Sequence, residues 1–133
     1  VNQPDKMLSF FSEDIEKLLA RGKAVSDFAD YVVESFVERA EPTYVKIGAT
    51  KVPSFNAQHI FVSEIGHALS EKLNTAVMLW SIRGEQVHMS FRSMKGQGPA
   101  ALELAESLGG GGHTLAAGAY VPLKKFCEMI VSS

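Results

Sequence analysis

The sequence predicts a mixed α+β (α/β) domain, in which a small mixed β-sheet of about five strands is flanked by helices and preceded by a long helix. Two patterns predict it. In several segments the apolar residues recur at three- and four-residue steps, as in amphipathic helices. Between these segments lie short runs that are apolar throughout or alternate with polar residues, which is typical of strands. A chain of 133 residues is long enough for one domain with a single hydrophobic core.

The composition excludes several classes of function. Thirteen Lys and Arg residues against fifteen Asp and Glu give a net charge of −2, which excludes broad, salt-driven binding of a nucleic-acid duplex but allows a local pocket for one or two phosphates. The single cysteine, Cys127, excludes a disulfide framework within the chain and favours a reducing compartment. Apolar runs such as residues 76–80 are far too short to span a membrane. We therefore expect a cytoplasmic protein that does not enter membranes.

A long amphipathic helix is predicted before Pro42. Ser12, followed by two acidic residues, has the features of a helix start, and Gly22 those of a stop or a kink. Over residues 25–40 the apolar side chains recur at helical steps, and Pro42 ends the pattern. This apolar stripe fits a connector to another domain and equally a helix that packs on the local sheet.

A hairpin and a buried strand follow. Residues 43–47 and 51–55 flank a Gly-Ala-Thr turn and predict two short antiparallel strands. Ser63 has the features of the N-cap of a helix that reaches about Leu73. Residues 75–82 are apolar almost throughout, as expected of a central strand covered on both faces.

Residues 86–93 alternate strictly, as does a strand with one buried face. A turn at residues 83–85 brings the chain back from the preceding strand. The two faces of the strand carry Val87, Met89 and Phe91 on one side, and His88, Ser90 and Arg92 on the other. The polar side is either a solvated surface or part of a site, for which the guanidinium of Arg92 suits bidentate binding of a phosphate.

The C-terminal part reads as helix, strand and helix. Pro99 is well placed in the first turn of a helix that reaches Leu108. Residues 116–121 form a short strand of small side chains, and Pro122 opens a last helix. Cys127 lies on this amphipathic helix, where we expect it to be buried.

The most informative feature is the run of four glycines at residues 109–112, followed by His113. Such a run costs backbone entropy, so a fold that keeps it uses conformations that only glycine allows. A glycine loop can turn several N–H groups around an anion, and a histidine beside it can donate to a phosphate oxygen or a base edge. This pattern favours an anion site over the alternative of a helix cap at Gly109 followed by a linker.

Other motifs are weak. The G-x-G-x-x-A element at residues 96–101 lacks the acidic residue that a dinucleotide-binding fingerprint requires, and the glycine run lacks the lysine of a P-loop. All aspartates lie within the first thirty residues and the histidines are scattered, so no two-metal hydrolytic centre is visible.

From about Lys51 onward the chain resembles the C-terminal, DHH-associated substrate-binding domain of the DHH phosphoesterases. That family includes RecJ-type exonucleases, nanoRNases, cyclic-dinucleotide phosphodiesterases and exopolyphosphatase-related proteins. The matching motifs, in the family's order and spacing, are Phe55-Asn56-Ala57, Ser63-Glu64-Ile65-Gly66, Ser90-Phe91-Arg92-Ser93, Gly109-Gly110-Gly111-Gly112-His113 and Ala116-Ala117-Gly118. The glycine–histidine element is the most specific of them.

The resemblance implies a division of labour between two domains. In the family, an N-terminal domain carries the manganese ligands, including an Asp-His-His motif that this sequence lacks. Residues 1–41 would then be a helical connector from that catalytic domain, and residues 42–133 the substrate-binding domain. No metal, cofactor or catalytic residue is implied in this chain, and manganese belongs to the other domain. The residues to which the resemblance assigns binding of the substrate phosphate are Arg92, Gly110, Gly111, Gly112 and His113, with Ser90, Ser93 and Asn56 as further positions.

The implied partners are a nucleotide or the end of a short single-stranded nucleic acid, and the chain's own DHH catalytic domain. The natural ligand stays open among short RNA, single-stranded DNA, a cyclic dinucleotide, a nucleoside phosphate and polyphosphate. One alternative is a stand-alone nucleic-acid-binding module without catalysis, since alanyl-tRNA synthetases contain a related domain. Another is a structural homodimer formed through the apolar stripe of residues 25–40.

Overall fold

The computed structural model describes residues 4–58 and 60–132. Within them the helices are α1 (Pro4–Arg39), α2 (Val62–Leu73), α3 (Ala101–Ser107) and α4 (Leu123–Met129). The strands are β1 (Thr43–Ile47), β2 (Thr50–Asn56), β3 (Val77–Arg83), β4 (Gln86–Arg92), β5 (Gly111–His113) and β6 (Ala116–Pro122).

The strands form one mixed sheet in the order β1-β2-β3-β4-β6-β5. Strands β2 and β3 run parallel, with α2 as the connection between them, and all other neighbours run antiparallel. The mixed α/β prediction is thus confirmed. The sheet has one strand more than the predicted five, because the end of the glycine run and His113 add β5 to its edge.

One face of the sheet is covered by α3 and α4, and we call it the covered face. Its core comprises side chains from every strand except β5, together with Ala101, Leu104, Ala105, Phe126 and Met129 of the two helices. Val87, Met89 and Phe91 of β4 are fully buried there, at 0% exposure. The alternation of residues 86–93 therefore predicted the buried face of this strand correctly.

The opposite face is covered only in part. Helix α2 and the last turns of α1 pack over β2 and β3, in a second core around Phe55, Ile65 and Leu79. On β6 the covered-face residues are buried, whereas Tyr120, on the other side, is 50% exposed. The uncovered remainder, over β4, β6 and β5, is called the open face below.

Helix α1 is continuous, so the predicted start at Ser12 and the predicted stop at Gly22 were wrong, whereas a kink at Gly22 stays a prediction. Nothing lies within 4 Å of the position of a Cβ on Gly22, and an isolated glycine inside a helix is tolerated at about 1 kcal/mol relative to alanine. Residues 12–28 are exposed. The last turns reach the second core through Val33, Phe36, Val37 and Ala40, and further up the helix Phe28 packs edge-on against Phe61 with 6.5 Å between the ring centroids.

Two predictions at helix ends and surfaces also changed. Helix α2 begins one residue before Ser63, and its N-cap is Phe61, without a capping side-chain hydrogen bond. Pro122 precedes α4 as predicted, but Cys127 on that helix is exposed rather than buried. In the described part of the chain, no helix is both long and apolar enough to cross a bilayer.

The burial of Phe91 on the covered face leads to a prediction about stability. Replacing Phe91 by Ala should lower the free energy of unfolding by about 3–5 kcal/mol, because it opens a cavity in a fully buried core. Ile82→Ala is the matched control on the neighbouring strand: Ile82 is 50% exposed, and the loss should be about 1 kcal/mol or less. Urea denaturation of both variants measures the difference, and equal losses would contradict this description of the core.

Candidate functional site

The open face brings Arg92 and His113 into one row across three strands. Arg92 of β4 pairs with Ala116 of β6, and Ala116 pairs with His113 of β5. Residues directly opposite in antiparallel strands point to the same face, so both side chains leave the sheet on the same side. Two strand spacings place their backbones about 10 Å apart, with only the methyl group of Ala116 between them.

Arg92 is held against the beginning of α2. Its Nη2 donates to the hydroxyl oxygen of Ser63 at 2.9 Å, and its Nη1 donates to the carbonyl oxygen of Phe91 at 2.8 Å. A Cβ on Gly66 would lie 2.6 Å from the Cγ of Arg92, so the helix can approach this side chain only where it carries a glycine. The contact fixes the direction in which Arg92 leaves the sheet.

The charge of Arg92 is retained. Burial lowers the pKa of Arg92, and the nearby carboxylate of Glu64 raises it. An arginine side chain stays protonated at neutral pH under such influences. Its hydrogen bonds to described residues use two of the five N–H donors, which leaves donors for a ligand.

A cleft of about 390 Å³ lies beside Arg92. It is lined by Ser63, His67, Arg92, Ser93, Met94, Lys95, Leu115 and Ala116. Sequence reasoning missed His67 and Lys95. Lys95 follows Arg92 by three residues, and a second positive charge so close to it could have indicated the anion site from the sequence. His67 lies at the cleft because α2 packs there, which no local pattern predicts. A guanidinium, an ammonium and a hydroxyl around one cleft suit an anion such as phosphate.

The glycine run is not the open anion-binding loop that the sequence suggested. Gly109, with φ of +82°, caps α3, and the N–H groups of Gly109 and Gly110 donate to the carbonyl oxygens of Glu106 and Ala105. This is the hydrogen-bond pattern of a Schellman cap. These two N–H groups are therefore not available to an anion, and the alternative of a helix cap was right for Gly109. The rest of the run is an edge strand rather than a linker.

Two glycines of the run are required by packing. A Cβ on Gly110 would overlap the carbonyl oxygen of Gly118, and a Cβ on Gly112 would lie 2.7 Å from the Cα of Ala117. Gly111 has no neighbour within 4 Å of the position of a Cβ. Since Gly111 pairs with Gly118 in the row next to His113, this part of the open face carries no side chain.

The remaining predicted positions are placed differently. The hydroxyl of Ser93 is buried and accepts a hydrogen bond from the N–H of Ala101 at 2.9 Å, which caps the first turn of α3. Ser90 is half-buried on the open face, two residues from Arg92. Asn56 pairs with Trp80 of the covered face and lines a separate cavity with Phe36 and Arg39 of α1. The structure therefore does not bring Asn56 together with Arg92.

The open face carries one partly buried histidine, His88. Burial lowers the pKa of His88, and the positive charge of Arg83 lowers it further. His88 packs against Tyr120 with 4.7 Å between the ring centroids. In the described part of the chain, no group of three His, Cys, Asp or Glu side chains lies close enough together to hold a metal ion.

Comparison with protein families matches this chain to a known domain. The model of the DHHA1 domain matches residues 45–132, which begin within β1, include β2 to β6 and exclude all of α1. A search of curated proteins finds no match.

The packing of the glycine run predicts that alanine substitutions at neighbouring positions change the free energy of unfolding by very different amounts. Gly110→Ala should lower the free energy of unfolding by about 2 kcal/mol or more, since the methyl group meets backbone that has to move. Gly111→Ala should change it by about 0.5 kcal/mol or less, because the position is open. Thermal or urea unfolding of the two variants tests this, and a Gly111→Ala variant as unstable as Gly110→Ala would contradict the placement of β5.

The lowered pKa of His88 predicts a pH dependence. The unfolded chain binds this proton at higher pH than the folded chain, so the folded state loses stability as the pH falls between the ordinary histidine pKa and the lowered value. His88→Gln should therefore lose less stability than the wild type between about pH 7.5 and about pH 5.5. The difference should be below about 1 kcal/mol, because the ring is partly exposed and solvent screens its charge. Urea midpoints at both pH values measure it, and identical losses would contradict the shift.

Proposed function

The chain belongs to the DHHA1 domain family, which is associated with DHH-family phosphoesterases, and on that premise we propose that it is the substrate-binding domain of such an enzyme. Its open face then holds a phosphate group of a nucleotide or of a short single-stranded nucleic acid. The observation that carries this proposal is the single row of Arg92, Ala116 and His113.

The chemistry of the row supports a phosphate ligand. Arg92 offers the guanidinium fork that matches phosphate oxygens, and it is already oriented by Ser63. His113 is exposed and can donate from its imidazole to a second oxygen or to a base edge. Lys95, which lines the same cleft as Arg92, adds a second positive charge. The net charge of −2 on the whole chain favours short ligands, because a long polyanion needs a wide basic surface.

In this proposal the chain binds and orients the substrate, and the catalytic step belongs to another domain. Manganese in the family's catalytic domain would supply the activated water. Here, Arg92 and His113 hold the phosphate from two sides, and the bare backbone at Gly111 and Gly118 lets the ligand approach the sheet closely.

The long helix suits the same arrangement. Its exposed part carries large apolar side chains, which are Ile15, Leu18, Leu19, Val25, Phe28 and Tyr31. Contiguous exposed apolar surface of this kind marks a contact with another protein surface. In our proposal this part of α1 is the connector that packs on the DHH catalytic domain, while its last turns pack on the domain described here.

The test is binding of a 5′-mononucleotide, followed by backbone amide shifts and calorimetry. Arg92→Ala should weaken binding about 10-fold or more, since a hydrogen-bonded charge on phosphate contributes about 1.5–3 kcal/mol. Arg92→Lys should keep part of the affinity, because it keeps the charge and loses the fork. His113→Ala should weaken binding less than Arg92→Ala.

Arg21→Ala, an exposed arginine on α1, is the matched control and should leave the affinity unchanged. Circular dichroism confirms that each variant is folded. Shifts that avoid residues 92 and 111–113, or an Arg92→Ala variant that binds like the wild type, would contradict the proposed site. A steep salt dependence with longer RNA would instead favour a nucleic-acid-binding module without a catalytic partner.

A further inference from the structure

A second cleft of about 360 Å³ lies on the open face, separate from the cleft of Arg92. Its wall on the side of the sheet is formed by Ser81, Arg83, His88 and Ser90, and Val62 and Leu79 contribute apolar surface. Of these residues, only Ser90 belongs to the site described above. The lining combines a cation, an imidazole and two hydroxyl groups, which are donors for an anionic group.

Three neighbouring strands bring the polar groups of this cleft together. His88 of β4 lies opposite Ser81 of β3 and opposite Tyr120 of β6. Arg83 reaches across this row, and its Nη1 donates to the hydroxyl oxygen of Tyr120 at 3.0 Å. The guanidinium is thereby held above the sheet beside the imidazole of His88.

Among the described residues, Arg83 has no acidic partner. The ion pairs found among the described residues join Lys23 to Asp27 and His67 to Glu71, and none involves Arg83. The tyrosine hydroxyl occupies one of the five N–H donors of the guanidinium. The side chain is exposed, so its positive charge is available to a ligand.

The surface between the two clefts is nearly free of side chains. Ser90 lies opposite Gly118, and Gly118 lies opposite Gly111. A Cβ on Gly118 would lie 3.2 Å from the carbonyl oxygen of Met89 and 3.7 Å from the Nε2 of His88. Without it, a ligand can pass from one cleft to the other over flat backbone.

The spacing of the clefts sets the size of the ligand. Arg92 and His88 are four residues apart on β4, which is about 14 Å along an extended strand. The guanidinium of Arg92 is held towards Ser63 in a cleft that His88 does not line, so a phosphate bound beside Arg92 does not reach His88. A ligand that uses both clefts therefore carries more than one anionic group.

We propose that Arg83 and His88, with Tyr120 as the residue that positions Arg83, form a second phosphate subsite for a phosphoryl group further along the same ligand. The inference rests on the proposed function, because the first phosphate lies at Arg92 and His113. It extends that function: the domain selects oligonucleotides over mononucleotides, and the second subsite provides the selection.

The experiment compares three probes, which are 5′-phosphorylated oligoadenylates of one, two and three nucleotides, by calorimetry at constant ionic strength. Arg83→Ala should leave the affinity for the mononucleotide within about twofold and weaken the trinucleotide about 10-fold or more, the loss of one charged hydrogen bond. Arg83→Lys should lose less than Arg83→Ala. Tyr120→Phe should weaken the trinucleotide alone, because it removes the acceptor that positions Arg83.

The failures of the two proposals can be told apart. If Arg92→Ala weakens all three probes and Arg83→Ala weakens none, or weakens all three equally, the second subsite is wrong and the proposed function stands. If Arg92→Ala changes no affinity, the proposed function itself is wrong. Arg21→Ala again serves as the control for loss of one exposed positive charge. Arg83 and Tyr120 are both exposed, so their variants should remain folded, which circular dichroism checks.

Discussion

The close approach of β5 to β6 is the constraint on which the candidate site depends. At Gly110 and Gly112 the neighbouring strand occupies the space in which a Cβ would lie. Any other residue at these positions would push β5 away from the sheet edge. Because β5 stays in register with β6, His113 is placed in the row of Arg92 rather than on a mobile loop. The glycines thus act first through packing, and this packing creates the surface on which we propose that the phosphate binds.

A second close approach orients the other half of the site. Helix α2 lies against Arg92 because Gly66 leaves room for the Cβ and Cγ of that side chain. The same helix supplies Ser63, whose oxygen accepts a hydrogen bond from the guanidinium. Packing and orientation are therefore linked: Ile65 and Leu69 bury the helix in the second core, and their burial holds Ser63 in position.

Strand β4 contributes to both the core and the candidate binding surface. Its alternate side chains are fully buried under α3 and α4, while those between them face the clefts. The core fixes the direction of the strand, so Arg92 and His88 keep a constant spacing on the open face. Each side chain that binds a ligand in our proposals is thereby mounted on a strand held from the other side. Sites built on strands are positioned more precisely than sites on loops.

The sequence by itself determined the order of the elements after Pro42 except β5, the buried face of β4, and the candidate pair Arg92 and His113. These follow from periodicity and from residue types that few structural roles explain, and both are local properties of the chain. Predictions from local sequence patterns were wrong where a residue distant in sequence formed a contact with the same side chain. Ser63 looked like a helix cap, but its hydroxyl accepts from Arg92, which is 29 residues away.

Only the tertiary structure decided which residues share a surface. Arg83 and Tyr120 are 37 residues apart, and no spacing rule connects them before β3, β4 and β6 are paired. The same holds for Asn56, whose motif position suggested the site but whose place in the register lies opposite Trp80. Strand pairing and the side-chain period of two set the face of each residue, and register is a property of the assembled sheet.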